Sequence, residues 1–211
     1  MNMKDSVYNF LSEQISLGNM KRDDKITEQF LAEQLNISRT PVREALFQLS
    51  SDDILEHEPR KGFRIKQYSK EDVENYYEII GLLDGKIASL TVDILDEDDY
   101  SIMKFYIDAM YSAINNELYT KYNEIQNKFH DVYIYKCENK KMLLEIIKLK
   151  KKFIGTDYSR IETSKIKEEL IVTNKEHEEI LRMFIEKEKE ELRNYIEFIH
   201  WRKDKAALDN W

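Results

Sequence analysis

The chain has 211 residues, 33 Lys+Arg against 41 Asp+Glu and a formal charge of −8 at pH 7, a length that suits one large domain or a small head with a larger body. Five Gly and two Pro leave too few turn formers for a strand-rich sandwich or barrel, so an almost wholly helical protein is expected. No run of ~18 apolar residues is present, residues 1–20 lack the basic-then-apolar order of a secretory leader, and the single Cys137 cannot close an intramolecular disulfide, so a cytoplasmic protein with no membrane partner is expected.

In chain order, Val7, Phe10, Leu11 and Ile15 recur at helical spacing over residues 4–17, with Gly18 suited to a left-handed cap. Thr27 can cap a second helix carrying Phe30, Leu31 and Leu35 on one face and closing at Asn36. Ser38-Arg39-Thr40-Pro41 opens a third, where Ser38 or Thr40 can accept from orphan N–H groups and Pro41 fits the first turn; Val42, Ala45, Leu46 and Leu49 face inward. Residues 54–65 read as a hairpin with a basic tip, Pro59-Arg60-Lys61-Gly62. From the capping-box-like Ser69-Lys70-Glu71-Asp72 to Lys205 the pattern is helical. Breaks near Leu95-Asp96, Asn115-Asn116, Asn139, Gly155 to Ser159, Ser164 and Lys187 divide it into six or seven helices able to bury a common core.

Charge divides the chain in the same place. Residues 1–66 hold 10 Lys+Arg and 11 Asp+Glu, which leaves most of the negative charge on residues 67–211. Acidity excludes a general nucleic-acid coat protein but leaves room for a local DNA-reading surface. Two helices joined by a tight turn, the second carrying Arg39, Thr40 and Arg43, place polar groups where a recognition helix meets base edges, and the hairpin supplies a wing. Arg39 and Arg43 can bond guanine or phosphate, Thr40 can donate to phosphate or touch a thymine methyl, and Gly62 permits close approach of the wing to the groove. By charge alone, both arginines can equally be solvated residues on an ordinary helix.

The string from Leu31 to Leu46, with Ser38-Arg39-Thr40-Pro41-Val42-Arg43-Glu44-Ala45-Leu46 unbroken, resembles the winged helix-turn-helix of the GntR family of bacterial transcription regulators. The resemblance implies DNA contacts from Ser38, Arg39, Thr40 and Arg43 and from the wing at Lys61 and Gly62. Lys21-Arg22-Asp23-Asp24 replaces the family's usual Pro-Gly before the second helix. More loosely, Val73 to Val92, Phe129-His130, Asn139 with Met142-Leu143, and Glu176-His177 with Ile180 resemble the FadR C-terminal domain (FCD) branch. The expected architecture is a winged helix-turn-helix over residues 1–68 followed by an all-helical effector-binding and dimerisation domain over residues 69–211.

A lone helical His is usually a hydrogen-bonded or partly exposed side chain. Here three of the four, His130, His177 and His200, fall on separate predicted helices at places similar to the FCD metal ligands. That implies a divalent metal, Zn, Ni, Mn or Fe, beside which a small carboxylic acid can bind. Gln126, one helical turn before His130, stands where that branch has a ligating Asp, and it offers only a weak, neutral fourth ligand. His200 lies one residue farther from His177 than the branch's spacing; an extra residue in the turn near Lys187 would absorb this, and otherwise His200 would turn by about 100° from the site. Ile80 takes the place of an Arg that can meet an acid ligand, and Asp84 that of a Glu. Asn123, Asn127, Tyr133 and Ile80 are the candidate pocket residues, Cys137 reads as a small buried side chain, and Lys148-Leu149-Lys150-Lys151-Lys152 as a solvated helix face.

The expected function is a homodimeric transcription regulator, a repressor, that reads a pseudo-palindromic operator under control of a small-molecule effector. A metal-responsive regulator, with the ion itself as signal, is the alternative. A metal-dependent helical enzyme is the rival from another class, and it lacks a general base, a nucleophile motif and a glycine-rich phosphate loop.

Overall fold

The computed structural model describes residues 2–153 and 163–207. The chain forms two compact units: residues 2–69, joined by residues 150–153, and residues 70–149 with 163–207. Helix α1 (Met3–Ser16) is capped by Asn2 and ends before Gly18, whose φ of 72° requires a residue without Cβ strain. Helix α2 (Glu28–Leu35) begins at Thr27, whose hydroxyl accepts from the Phe30 amide at 3.1 Å, and ends at Asn36 in the left-handed region. Helix α3 (Arg39–Ser51) follows two residues later. Strands β1 (Leu55–Glu58) and β2 (Gly62–Ile65) form the antiparallel hairpin, with Leu55 opposite Ile65 and Glu58 opposite Gly62. Val7, Leu11 and Ile15 of α1 join Val42, Leu46 and Leu49 of α3 and Phe63 and Ile65 of β2 in one buried core. This unit matches the expected mostly helical winged head.

The second unit contains α4 (Lys70–Thr91), α5 (Glu97–Asn115), α6 (Tyr119–Ile134), α7 (Lys140–Lys150), α8 (Thr163–Ile185) and α9 (Lys189–Tyr195), the last continuing into a π-helical turn (Ile196–His200) and a 3₁₀ turn (Lys203–Ala207). Asp96 and Asp99 form a reciprocal capping box that starts α5. The break expected near Ser164 falls at the start of α8, which opens at Thr163, and the break at Lys187 is marked by a φ of 57°. The expected break at residues 155–159 lies outside the described residues. Large apolar side chains of α4, α5, α6 and α8, among them Ile87, Ile107, Phe129 and Phe184, make a single core.

Two glycines on α4 set how closely α9 and the π turn approach. A Cβ at Gly81 would stand 2.9 Å from Trp201 Cβ and 3.0 Å from the Glu197 carbonyl; one at Gly85 would stand 2.7 Å from the Arg193 carbonyl. Ala normally stabilises a helix interior over Gly by about 1 kcal/mol. Here the added methyl meets backbone that can yield only by moving α9, and overpacking of this kind costs ~1–3 kcal/mol. Gly85→Ala is therefore expected to lower the urea midpoint of unfolding, where propensity alone would raise it.

Candidate DNA-reading face and candidate metal centre

Ser38 sits at the N-cap position of α3 with extended backbone, yet its hydroxyl makes no capping bond, contrary to one of the roles expected for it. Ser38, Arg39, Thr40 and Arg43 are all exposed, so the first turn of α3 presents its amide groups and these side chains to solvent. Both arginines are held from α2: Arg39 donates to Gln29 Oε1 at 3.0 Å, and Arg43 Nε to Glu28 Oε1 at 2.7 Å, with Arg43 still 63% exposed. Lys61 is exposed on the hairpin and pairs with Glu58 at 3.2 Å. Gly62 meets a further requirement inside the protein. Its φ is 105° and a Cβ would lie 2.6 Å from the Ile26 carbonyl, where Phe63 bridges to Ile26. Close approach is needed there by the protein's own backbone, which alone requires glycine.

The basic run after α7 is not simply a solvated face. Lys151 pairs with Asp5 at 2.7 Å, and the buried Lys152 donates to the Asp52 carbonyl at 3.2 Å and to Asp53 Oδ2 at 3.3 Å. Cys137 is fully buried, as expected.

In the second unit α6 carries His130, α8 carries His177 and the π turn ends in His200; all three are buried and offer ligand nitrogens within 4.8 Å of one another. The one-residue excess between His177 and His200 is accommodated by the π turn, in which the Trp201 amide donates to the Ile196 carbonyl five residues back at 3.1 Å. The tight turn at Lys187 does not have to absorb it.

Partners behind the rings decide which nitrogen faces the centre. The Tyr133 hydroxyl donates its one proton to Asp84 Oδ1 at 2.7 Å, so its 2.6 Å contact with His130 Nδ1 requires that nitrogen to be the donor. Glu176 Oε2 accepts from His200 Nδ1 at 2.9 Å, with the same consequence for His200. With both rings neutral, each turns an unprotonated Nε2 inward, and the two are 3.1 Å apart; a proton added to His130 would sit on Nε2 and be donated to His200. Two imidazole lone pairs facing one another in this way take up an electrophile, either a proton shared between the two nitrogens or a divalent ion that draws its donor set from imidazole. His177 completes the cluster, its ring centroid 4.8 Å from those of His200 and Phe129.

The carboxylates are secured in turn. Asp84, fully buried, also accepts from Trp201 Nε1 at 2.8 Å and lies 3.3 Å from His130 Nδ1. Glu176 accepts from Arg202 at 2.8 Å and from the buried Lys205. Burial by itself raises the Glu176 carboxyl, but His200 and Lys205 bring it below the usual carboxylate range. Burial pulls His200 down to about 4 against the opposing pull of Glu176, with His130 and Lys205 adding to the drop, so the ring is neutral at pH 7. Burial together with Asp84 pushes the Tyr133 hydroxyl up, which keeps it a donor.

Tyr133, expected to line a pocket, instead orients His130. Ile80 is fully buried one turn from Asp84, Asn123 is half-buried, and Asn127 is exposed, which removes it from an interior pocket. Gln126 is half-buried, and among the described residues no hydrogen bond joins it to the imidazoles. Sequence reasoning missed Glu176, Trp201, Arg202 and Lys205 and read Asp84 only as a departure. The available signal was their adjacency to His177 and His200.

Residues 3–65 match the family described as bacterial regulatory proteins, gntR family. An HTH-type transcriptional regulator of Bacillus subtilis, YdhC, is 32% identical over 65% of this chain and 63% of its own length; the Escherichia coli HTH-type transcriptional regulator McbR is 28% identical over 67% and 63%. The chain thus spans somewhat under two thirds of these curated relatives. The solved structure of E. coli McbR/YncC covers 99% of this chain and 97% of its own with a TM-score of 0.83 at 22% identity, and a putative regulator GntR from Rhodococcus covers 97% and 96% with a TM-score of 0.66 at 17%. These structures share the fold. Among the described residues no helix is long and apolar enough to cross a membrane.

The tautomers can be checked directly. Long-range proton–nitrogen spectra of the metal-free protein are expected to show His130 and His200 protonated on Nδ1, with His200 still neutral at pH 5. A His200 resonance that titrated near 6.5, its ordinary value, would contradict the arrangement.

Proposed function

We propose that the chain is a transcription regulator of the GntR type, to whose family its residues 3–65 are similar, with a winged head that binds operator DNA and a helical body, of the FCD type, that senses a small molecule. The observation that carries the first half is the exposed Ser38-Arg39-Thr40 start of α3 with Arg43 one turn on, inside the matched region. Uncapped amides at a helix start favour phosphate, while the two arginines, supported by Gln29 and Glu28, supply bidentate donors for bases or phosphates; Lys61 adds charge from the wing. Dimerisation brings two such heads to a pseudo-palindromic operator. Ile79, Leu82 and Leu90 of α4 are exposed apolar side chains that favour a second copy as partner. A cytoplasmic location and a repressor's sign of control go with this reading.

For the body, the support is the pair of inward Nε2 atoms 3.1 Å apart. His130 and His200 through Nε2, with His177, would hold a divalent ion, Zn, Ni, Mn or Fe. Bound there, the ion supplies positive charge for a carboxylate effector, the charge that the buried Ile80 lacks. The chain's own residues fix the rings: Asp84 through Tyr133, and Glu176 directly. Effector control then follows from linkage. A ligand that prefers the body conformation with poorly placed heads weakens DNA binding by the same coupling, typically ~1–3 kcal/mol. Near-complete burial of all three histidines favours a second reading, in which the ion itself is the signal. Adding and chelating metal in an operator-shift assay separates the two, since only a metal sensor changes DNA affinity without an effector.

Two outcomes are expected. Arg43→Ala leaves the dimer intact, weakens operator binding by about tenfold or more and reduces the salt slope by ~1 if the lost contact is to phosphate; an unchanged mobility-shift midpoint would remove Arg43 from the interface. Untagged protein carries about one metal per chain by elemental analysis, as the binding sets of structural and sensory sites do, and His177→Ala loses it; no metal in either after addition of Zn, Ni or Mn would retire the metal centre.

A further inference from the structure

Asn174, one turn before His177 on α8, is fully buried. Its Nδ2 donates to the Ile107 carbonyl of α5 at 3.1 Å, and among the described residues its Oδ1 meets no hydrogen-bond partner. The amide cannot be reversed to relieve this, because Oδ1 would then face the Ile107 carbonyl, acceptor against acceptor. The side chain is planar, so with Nδ2 committed to α5 the oxygen points away from Ile107. His177 is the third residue after Asn174, which places the two about 60° apart around α8 and about one turn apart along it. A buried acceptor with no donor is costly in an apolar interior, and such groups usually meet a water or a ligand.

We propose that Asn174 is a specificity-determining residue of the effector site, whose Oδ1 accepts a hydrogen bond from a hydroxyl or amino group of a small carboxylic acid held beside the three histidines. The proposal rests on the effector reading above and narrows it. A plain carboxylate satisfies the cationic centre and leaves Asn174 Oδ1 without a donor, whereas a hydroxy- or amino-substituted acid satisfies both. The acceptor therefore discriminates by what an incomplete ligand leaves unpaired. Leucine or valine at this position would have filled the α5–α8 contact more cheaply if packing were the only demand.

The test uses the full-length protein with zinc added, titrated calorimetrically with matched acids: malate against succinate, and lactate or alanine against propionate. In the wild type at least one substituted acid is expected to bind about tenfold more tightly than its unsubstituted partner, the size of one well-made hydrogen bond to a buried group. Asn174→Val is expected to erase that advantage while leaving the unsubstituted acid's affinity unchanged. Equal affinities within every pair overturn the proposal and leave the effector reading standing. An advantage that survives in Asn174→Val overturns it too, since the acceptor then lies elsewhere. Failure of every acid to bind overturns both. Should Asn174→Val not fold, Asn174→Leu, which removes the same acceptor, is titrated in its place, with loss of the advantage expected and its survival overturning the proposal.

Discussion

The body of this protein is arranged around two hydrogen bonds, one from His130 Nδ1 to Tyr133 and one from His200 Nδ1 to Glu176. Neither carboxylate system is cheap to bury. Asp84 is buried with neutral donors from Tyr133 and Trp201, and Glu176 with Arg202 and Lys205. A buried ion pair rarely adds much stability over a well-packed apolar pair, so groups of this kind are better explained by what they position. Here they position imidazoles. Fixing Nδ1 as the donor leaves no proton for Nε2 while the ring stays neutral, and the lowered proton affinity of His200 keeps it so. The result is a donor set whose lone pairs face one another, poised for an electrophile.

The same residues tie the C-terminal segment into the bundle. Trp201 reaches Asp84 of α4 and its Cβ rests where Gly81 leaves room; Lys205 and Arg202 reach Glu176 of α8. Loss of the segment would remove His200 and most of the countercharge of Glu176 together. Site and stability are therefore coupled, and substitutions that loosen α4 against α9 are felt at the histidines.

Much of this was legible beforehand. Helix starts at Thr27 and residues 38–41 and the hairpin at 54–65 announce themselves because capping, proline and turn chemistry are local. The three histidines converge as expected. Their supports did not show in the sequence, because Glu176, Arg202 and Lys205 look like ordinary solvated charges on helical stretches that are rich in charge, and only the tertiary fold buries them. Gly62 carries a role that the sequence did not show, for a related reason: its close neighbour is the Ile26 carbonyl, a contact between segments far apart in the chain. Asn127 was a pocket candidate through its nearness to the helical face of Asn123 and Tyr133, with a solvated role as the alternative, and on α6 it lies in solvent.

The register of His200 shows how one residue is absorbed without moving the rest. Residue for residue, an α-helix advances about 100°, so a single extra residue before His200 in regular helix would swing its ring out of the site. A loop insertion at Lys187 would have shifted the whole of α9, and with it the Arg193 carbonyl that sits close over Gly85. The π turn takes up the residue after that contact is made, between Ile196 and His200, so the packing of α9 on α4 and the position of the ring are set separately. π turns have poorer backbone geometry than α-helix and persist where something else rewards them. In this chain the residue that ends the turn donates to Glu176, and the next donates to Asp84.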